Sequence, residues 1–283
     1  MVEEYSTEEE FLKKYDYKSF ERPSVTVDIA VFGVLGEEVD SYRKDEKKSI
    51  SLLLVKRGEH PFKGKWALPG GFLTENDESV EKCAEREVFS ETNVKPRSLF
   101  PIGTFSAKGR DPRGWIISNA FVSVVSEDGV NAKGGDDAAE ARWFKGNFTA
   151  VEDSEGKTKK LYRLSMTSGD TTLCALFEKT GCHFGRDEFK VVDGGDFAFD
   201  HALIIATAFS ILRSVAGDFD VLFDFLPERF TLTSLQKVQE TILGETLLPA
   251  NFRRKVEKLV VETDEYTSGA GHRPAKLFMK KVD

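Results

Sequence analysis

Gly70-Gly71-Phe72-Leu73-Thr74-Glu75-Asn76-Asp77-Glu78, followed after seven residues by Arg86-Glu87-Val88-Phe89-Ser90-Glu91-Thr92-Asn93-Val94, decides how this chain is read. A glycine loop runs into a stretch where Val80, Cys83, Ala84 and Val88 recur at helical spacing, which predicts a helix from about Glu78 to Glu91. Glu87 and Glu91 are four residues apart and share one face. Two carboxylates beside a loop rich in backbone carbonyls form a ligand set for a hard divalent cation, with waters completing an oxygen shell. The same spacing is also common on plain solvated helix faces. Glu78 and Arg86 are spaced to close a salt bridge pinning loop to helix.

Outward from this stretch, the β-branched runs Val25–Leu35 and Ile50–Val55 read as strands, with the charged segment Glu37–Lys48 as a hairpin loop between them. Pro61, Gly64, Pro69, Gly70 and Gly71 break regular structure and mark a long shaped loop. Three more strands are expected at Leu99–Ser106, Trp115–Val125 and Ala141–Phe144. Strands interleaved with one helix indicate an α/β domain over residues 25–146, after a lead-in at 1–24 with a short acidic helix. Residues 147–197 read as an insertion or elaboration of that domain. It holds a hairpin of Lys160–Met166 and Thr171–Glu178, a Gly-rich loop running to Asp196, and no legible chemistry. A connecting helix is expected within 198–225, with Ala202, Ile205, Phe209 and Leu212 on one face.

The last segment, 226–283, has the layout of a helix-turn-helix with a wing. Thr233 and Gln236 suit a capping box, Leu235, Val238 and Ile242 form a stripe, and Gly244 stops that helix. Pro249 suits the first turn of a second helix, Asn251–Leu259, which carries Arg253, Arg254, Lys255 and Lys258. Val260–Thr263 and Ala275–Met279 then flank Ser268–Arg273 as a hairpin wing.

The 283 residues carry 48 acidic against 40 basic side chains, a net charge of −8, which excludes a uniformly basic nucleic-acid coat. Charge is uneven, however: residues 226–283 hold ten Lys and Arg against eight Asp and Glu. Apolar residues make up 40%, with 23 Phe, enough to build sizeable cores. No apolar run approaches the ~20 residues that span a bilayer. Met1–Glu10 holds five glutamates and no signal-like core, and Cys83, Cys174 and Cys182 form no CxxC pair. These features predict a cytoplasmic protein with reduced thiols and no structural zinc.

The run Phe62-Lys63-Gly64-Lys65-Trp66-Ala67-Leu68-Pro69-Gly70-Gly71, with Glu78, Arg86, Glu87 and Glu91, closely resembles the Nudix hydrolase family. The family's box reads G-x5-E-x7-R-E-U-x-E-E-x-G-U, with U an aliphatic residue. The resemblance implies an α/β/α sandwich in which Mg2+ or Mn2+ assists attack of water on a nucleoside-linked pyrophosphate. It further implies that Glu87, Glu91 and the Gly70 carbonyl hold metal, with Glu78 and Arg86 as the bracing pair. Three departures stand out: one extra residue before Glu78, Ser90 in place of a glutamate, and Asn93 in place of the closing glycine. Asn tolerates a left-handed cap, so the last is mild, whereas Ser90 removes a carboxylate.

Arg110-Asp111-Pro112-Arg113-Gly114 and Gly135–Trp143 resemble the ADP-ribose-handling branch of the family. On that resemblance Arg57 and Arg113 offer forked donors to phosphate, Asp28 accepts ribose hydroxyls, and Phe62 or Trp66 offers a stacking face. A base is expected on the loop bearing Asp136, Asp137 and Glu140. Each residue also has a plainer reading as a surface arginine, core aromatic or turn aspartate. The Ala198-Phe199-Asp200-His201 stretch and the tail from Leu226-Pro227 resemble Nudix-related transcriptional regulators of NAD metabolism. That implies a homodimer binding operator DNA through Arg253, Arg254, Lys258 and Arg273. His201 itself reads as a packed or helix-capping histidine, not a metal ligand. The expectation is a regulator sensing ADP-ribose or a related nucleotide. The alternative is a Mg2+-dependent ADP-ribose pyrophosphatase with a structural tail.

Overall fold

After a short lead-in helix at Glu8–Lys14 (α1), residues along the strand Ser24–Gly36 (β1) alternate between two cores, as a strand buried on both faces must. Val27, Ile29 and Val31 enter one, and Ala30, Phe32 and Val34 the other. The first core is closed by the helix Val80–Thr92 (α2) through Cys83, Ala84 and Val88, and the second by the helix His201–Ser214 (α3). A sheet held between two helices is the α/β/α sandwich expected. The computed structural model describes residues 7–36, 48–130, 138–151, 160–267 and 274–282. The expectations placed on residues 37–47, on Asp136 and Asp137, and on Arg273 at the wing tip lie outside the described residues.

β1 pairs antiparallel with Lys48–Arg57 (β2) and with Gly70–Phe72 (β4), while the two-residue strand Trp66–Ala67 (β3) pairs with β2. Its other edge runs parallel to Ile116–Val124 (β6), which pairs with Ser98–Phe105 (β5). Beyond β2 the sheet continues through Ala138–Val151 (β7), Leu161–Ser168 (β8), Thr171–His183 (β9) and Arg186–Asp193 (β10). Residues 147–197 therefore extend the central sheet. The Gly-rich stretch read as a loop contains β10, whose pairing with β9 survives two register shifts.

α3 is buried around most of its circumference, Ile204, Ala208 and Ile211 as well as the expected Ala202, Ile205, Phe209 and Leu212. A helix apolar around most of its surface belongs in a core, and α3 packs on β10 as well as on β1, β5 and β6. It ends before Gly217, so the expected connecting helix is two helices: Phe219–Asp224 (α4) packs through Phe219 on Phe252 of the C-terminal region. α4 thus falls within the expected connection and packs with the C-terminal unit.

That unit comprises α4, Leu232–Leu243 (α5), Pro249–Val256 (α6) and the ribbon Val260–Tyr266 (β11) with Lys276–Lys280 (β12). Thr231 caps α5 in a reciprocal box with Ser234, two residues earlier than the Thr233–Gln236 pair expected. Gly244 closes α5 at φ 72°. A reciprocal pair of backbone hydrogen bonds between Phe230 and Phe278 ties the ribbon to the start of the unit. Leu235, Val238, Ile242, Phe252 and Val256 share one continuous core with Phe32, Leu52 and α3.

Candidate functional site

Two adjacent glycines let the box helix approach the sheet. A Cβ at Gly70 would overlap the Val27 carbonyl, and one at Gly71 would lie 2.5 Å from the Glu87 carboxyl. Ser79 caps α2, and Asn93 ends it in the left-handed conformation at φ 58°. Arg86 is held bidentately by Asp77, with Nε and Nη2 each 2.8 Å from a carboxylate oxygen, and its Nη1 donates to Glu87 at 2.6 Å. The bracing partner is therefore Asp77 and not Glu78, which is exposed. Asp77 stands six residues after Gly71, so the shorter aspartate absorbs the extra residue of the loop. The Arg86 hydrogen bond, above all, holds the Asp77 carboxyl well below the usual carboxylate range.

Above this loop lies a cavity of about 330 Å3, lined by Asp28, Arg57, Gly70, Glu91, Arg110, Arg113 and Phe199 among others. Its volume suits part of a small-molecule ligand. Glu91 accepts the Gly70 N–H at 3.0 Å on its floor. Phe199, just before α3, has φ 51°, and Phe62 has φ 62°. A left-handed conformation strains a bulky side chain by on the order of 1 kcal/mol or more. Both are held by an edge-to-face contact at 4.8 Å. Phe199 rather than Phe62 faces the cavity, with the guanidinium groups of Arg57 and Arg113 at 4.8 and 5.4 Å from its ring. Trp66 is core, packed edge-on to Phe144.

The arginines are placed by fixed partners. Arg57 Nε donates to the Pro61 carbonyl at 2.7 Å. Arg113 spends Nε and Nη2 on the buried Asp111 carboxylate, so it presents its ring-facing side and Nη1 to a ligand, not its whole fork. Burial, then the charge of Arg113, lowers the Arg57 guanidinium from its ordinary value. Two crowded, partly desolvated cations favour an anion between them.

Asp28 is not a free acceptor for ribose. It is buried, with Ser118 Oγ at 2.6 Å and Arg110 Nη2 at 3.1 Å on one oxygen and His201 Nε2 at 3.2 Å from the other. Burial pushes the carboxyl up, but His201, Ser118 and Arg110 outweigh it and hold the group well below the usual range. His201 Nδ1 accepts the Leu68 N–H at 2.8 Å, so its ring carries the proton on Nε2 and is a packed polar link, as expected. Arg110, 4% exposed, also forks onto Asp200 at 2.7 and 2.9 Å. The network joins β1, the 107–114 loop and the start of α3. Phe199, Arg110, Asp200 and Asp77 were missed as site residues; the Ala198–His201 and Arg110–Gly114 stretches held the signal for three of them.

The metal set is short. Among the described residues no group of three His, Cys, Asp or Glu side chains comes together to hold an ion. Glu87 is tied to Arg86 behind Gly71, and Ser90 Oγ turns back to the Glu87 carbonyl at 3.2 Å. Glu140 pairs with Arg142.

A second surface lies on the winged helix. Arg253 and Arg254 are exposed in the last turn of α6, and Arg254 reaches Asn251 at 3.4 Å. Lys258 falls in the turn after α6, not on the helix, and lines a depression with Lys280 and Lys281.

Comparison with known proteins places these features. A NUDIX domain model matches residues 36–160, and a model described as the NrtR DNA-binding winged helix domain matches 222–279. The ADP-ribose pyrophosphatase of Methanocaldococcus jannaschii is 40% identical over 136 residues, 47% of this chain and 70% of that protein. The chain belongs to the Nudix family. It is similar over nearly its whole length to the ADPR responsive transcriptional repressor NtrR of Acinetobacter baylyi, 28% identical over 276 residues, covering 97% of this chain and 88% of that protein. It is also similar to the crystal structure of Shewanella oneidensis NrtR complexed with a 27mer DNA, at TM-score 0.60 and 27% identity over 91% of this chain and 93% of that one. This Nudix domain thus keeps the loop, helix and arginine brace of the family while its carboxylate cluster is reduced.

Proposed function

We propose that the protein is an ADP-ribose-responsive transcriptional repressor of the NrtR type, which binds operator DNA through its winged helix and releases it when the Nudix pocket fills. One observation carries the reading: a cavity with two crowded guanidinium groups on an aromatic wall shares one continuous core with a DNA-binding winged helix. The diphosphate of ADP-ribose would relieve the repulsion between Arg57 and Arg113, and Phe199 offers a face to a ring. Genes of NAD metabolism are the targets that fit such a signal. The active species is a homodimer in the cytoplasm, since paired winged helices read the two halves of a palindrome.

Retained Glu87 and Glu91 favour a second reading, hydrolysis of ADP-ribose with Mg2+ or Mn2+. Ser90 and the Arg86–Glu87 pair weigh against turnover. Incubation with ADP-ribose and Mg2+ separates the two readings: the expected result is binding without release of AMP and ribose 5-phosphate. Turnover abolished by Glu91→Gln would establish the enzyme instead. For the repressor, operator DNA retarded in a gel shift should be released by ADP-ribose. Failure of ADP-ribose to alter a specific shift overturns the proposed response.

A further inference from the structure

At the far end of α3 from the ligand pocket, Arg213 stands half-buried beside a second cavity of about 340 Å3, lined by Phe148, Tyr162, Asp187, Ser210 and Ser214. Among the described residues its guanidinium has no carboxylate or carbonyl partner. Burial lowers it from its ordinary value, with only the Tyr162 hydroxyl group opposing. A desolvated cation without a counter-charge is costly, and folded proteins pair such groups. The one acid on the wall, Asp187, is already neutralised by Lys179 of β9. Phe148 and Tyr162, 5.3 Å apart, form a ring wall behind the arginine.

From this arrangement we infer a second ligand site, for a small phosphomonoester, in the cleft between the C-terminal turns of α3 and strands β7, β8 and β10. Arg213 provides a forked donor to the phosphate, with the Tyr162 hydroxyl on the same wall; Ser210, hydrogen-bonded to Asp187, and Ser214, which donates to the Ile211 carbonyl at 2.7 Å, line the space and would turn their hydroxyls to the ligand. The cavity exceeds a bare phosphate, and Asp187 is placed to accept a hydroxyl of the attached group. The site is separate from the Arg57–Arg113 pocket. Two residues beyond Ser214 in the chain, the Ala216 carbonyl accepts the side chain of Gln239 from the winged helix at 2.8 Å.

The test uses the full-length protein, thermal unfolding and calorimetric titration, with inorganic phosphate and glycerol 3-phosphate as probes and sodium chloride at matched ionic strength as reference. Because Arg57 and Arg113 also attract phosphate, a background carrying Arg57→Gln and Arg113→Gln is titrated in parallel. At ten times Kd the melting temperature should rise by about 2–4 °C in wild type and in that background, and not in Arg213→Met. In chloride alone, Arg213→Met should be as stable as wild type or more so, since an unpaired charge has been removed. Tyr162→Phe combined with Ser210→Ala, which keeps the cation, should weaken phosphate binding several-fold and serves if Arg213→Met folds poorly. Equal shifts in wild type and Arg213→Met, or a shift lost in the Arg57→Gln/Arg113→Gln background, would overturn the assignment. Glycerol 3-phosphate binding no tighter than inorganic phosphate would overturn the monoester class.

Discussion

Phe199 stands between a strained backbone and two guanidinium groups and lines the cavity. Phe199→Ala removes one wall face and the support of both cations, worth about 1–2 kcal/mol. ADP-ribose binding, followed by calorimetry, should weaken about tenfold, with little change in melting temperature. Asp28 has the opposite role: it holds the fold around the pocket. Asp28→Asn leaves Arg110 buried with Asp200 alone and should cost about 3 kcal/mol at pH 7 in urea unfolding. Because the folded carboxyl titrates below the unfolded value of about 3.9, its contribution is complete above that value and disappears as pH falls through the folded one. The gap between wild type and Asp28→Asn should therefore close on acidification below about pH 4, and a gap constant with pH would refute the charge assignment. Single residues also mark the limit of sequence reading. Counting along the box paired Arg86 with Glu78, but only the path of the loop shows Asp77 at the guanidinium. Spacing shows the one-residue excursion but not which acid it brings to the guanidinium.

Among the elements, α2 was legible because its glycine loop, cap and carboxylate spacing are all local. The winged helix was nearly as legible, since Gly244 and Pro249 punctuate its helices and β11–β12 follow at once. β10 was not. Its alternation is interrupted by bulges, and only the neighbouring β9 makes it a strand. α4 was lost for a similar reason: six residues carry too little periodicity to stand apart from α3. For α6, exposed Arg253 and Arg254 make a testable case. Replacing both by alanine should weaken operator binding at low salt and reduce the slope of log K against log salt by about 2, one counterion per lost phosphate contact. An unchanged slope would place the DNA elsewhere.

At the scale of the whole molecule, the pocket and the reading head are joined through α3. Its first turn carries His201, in contact with Asp28, and just past its last turn the Ala216 carbonyl is held by Gln239 of α5. Arg97 adds a second link, donating to the Leu226 carbonyl at 2.8 Å. A shift of α3 on ligand binding would reach α5 directly, and the coupling between ADP-ribose and DNA must be reciprocal. Gln239→Leu keeps the bulk and removes the link. It should leave ADP-ribose affinity and DNA affinity each within about threefold while cutting the mutual effect by about 1 kcal/mol, roughly fivefold, in gel shifts titrated with ADP-ribose. Undiminished coupling would exclude this route. The sequence by itself determined the pairing of a Nudix domain with a winged helix, because glycines, caps and carboxylate spacing act over a few residues. Only the tertiary structure decided that Asp28 is buried support, that Phe199 is the aromatic wall, and that both units share one core. Those properties arise where β1, the 107–114 loop and α3 converge, between residues some ninety apart in the chain, and no local pattern encodes that meeting.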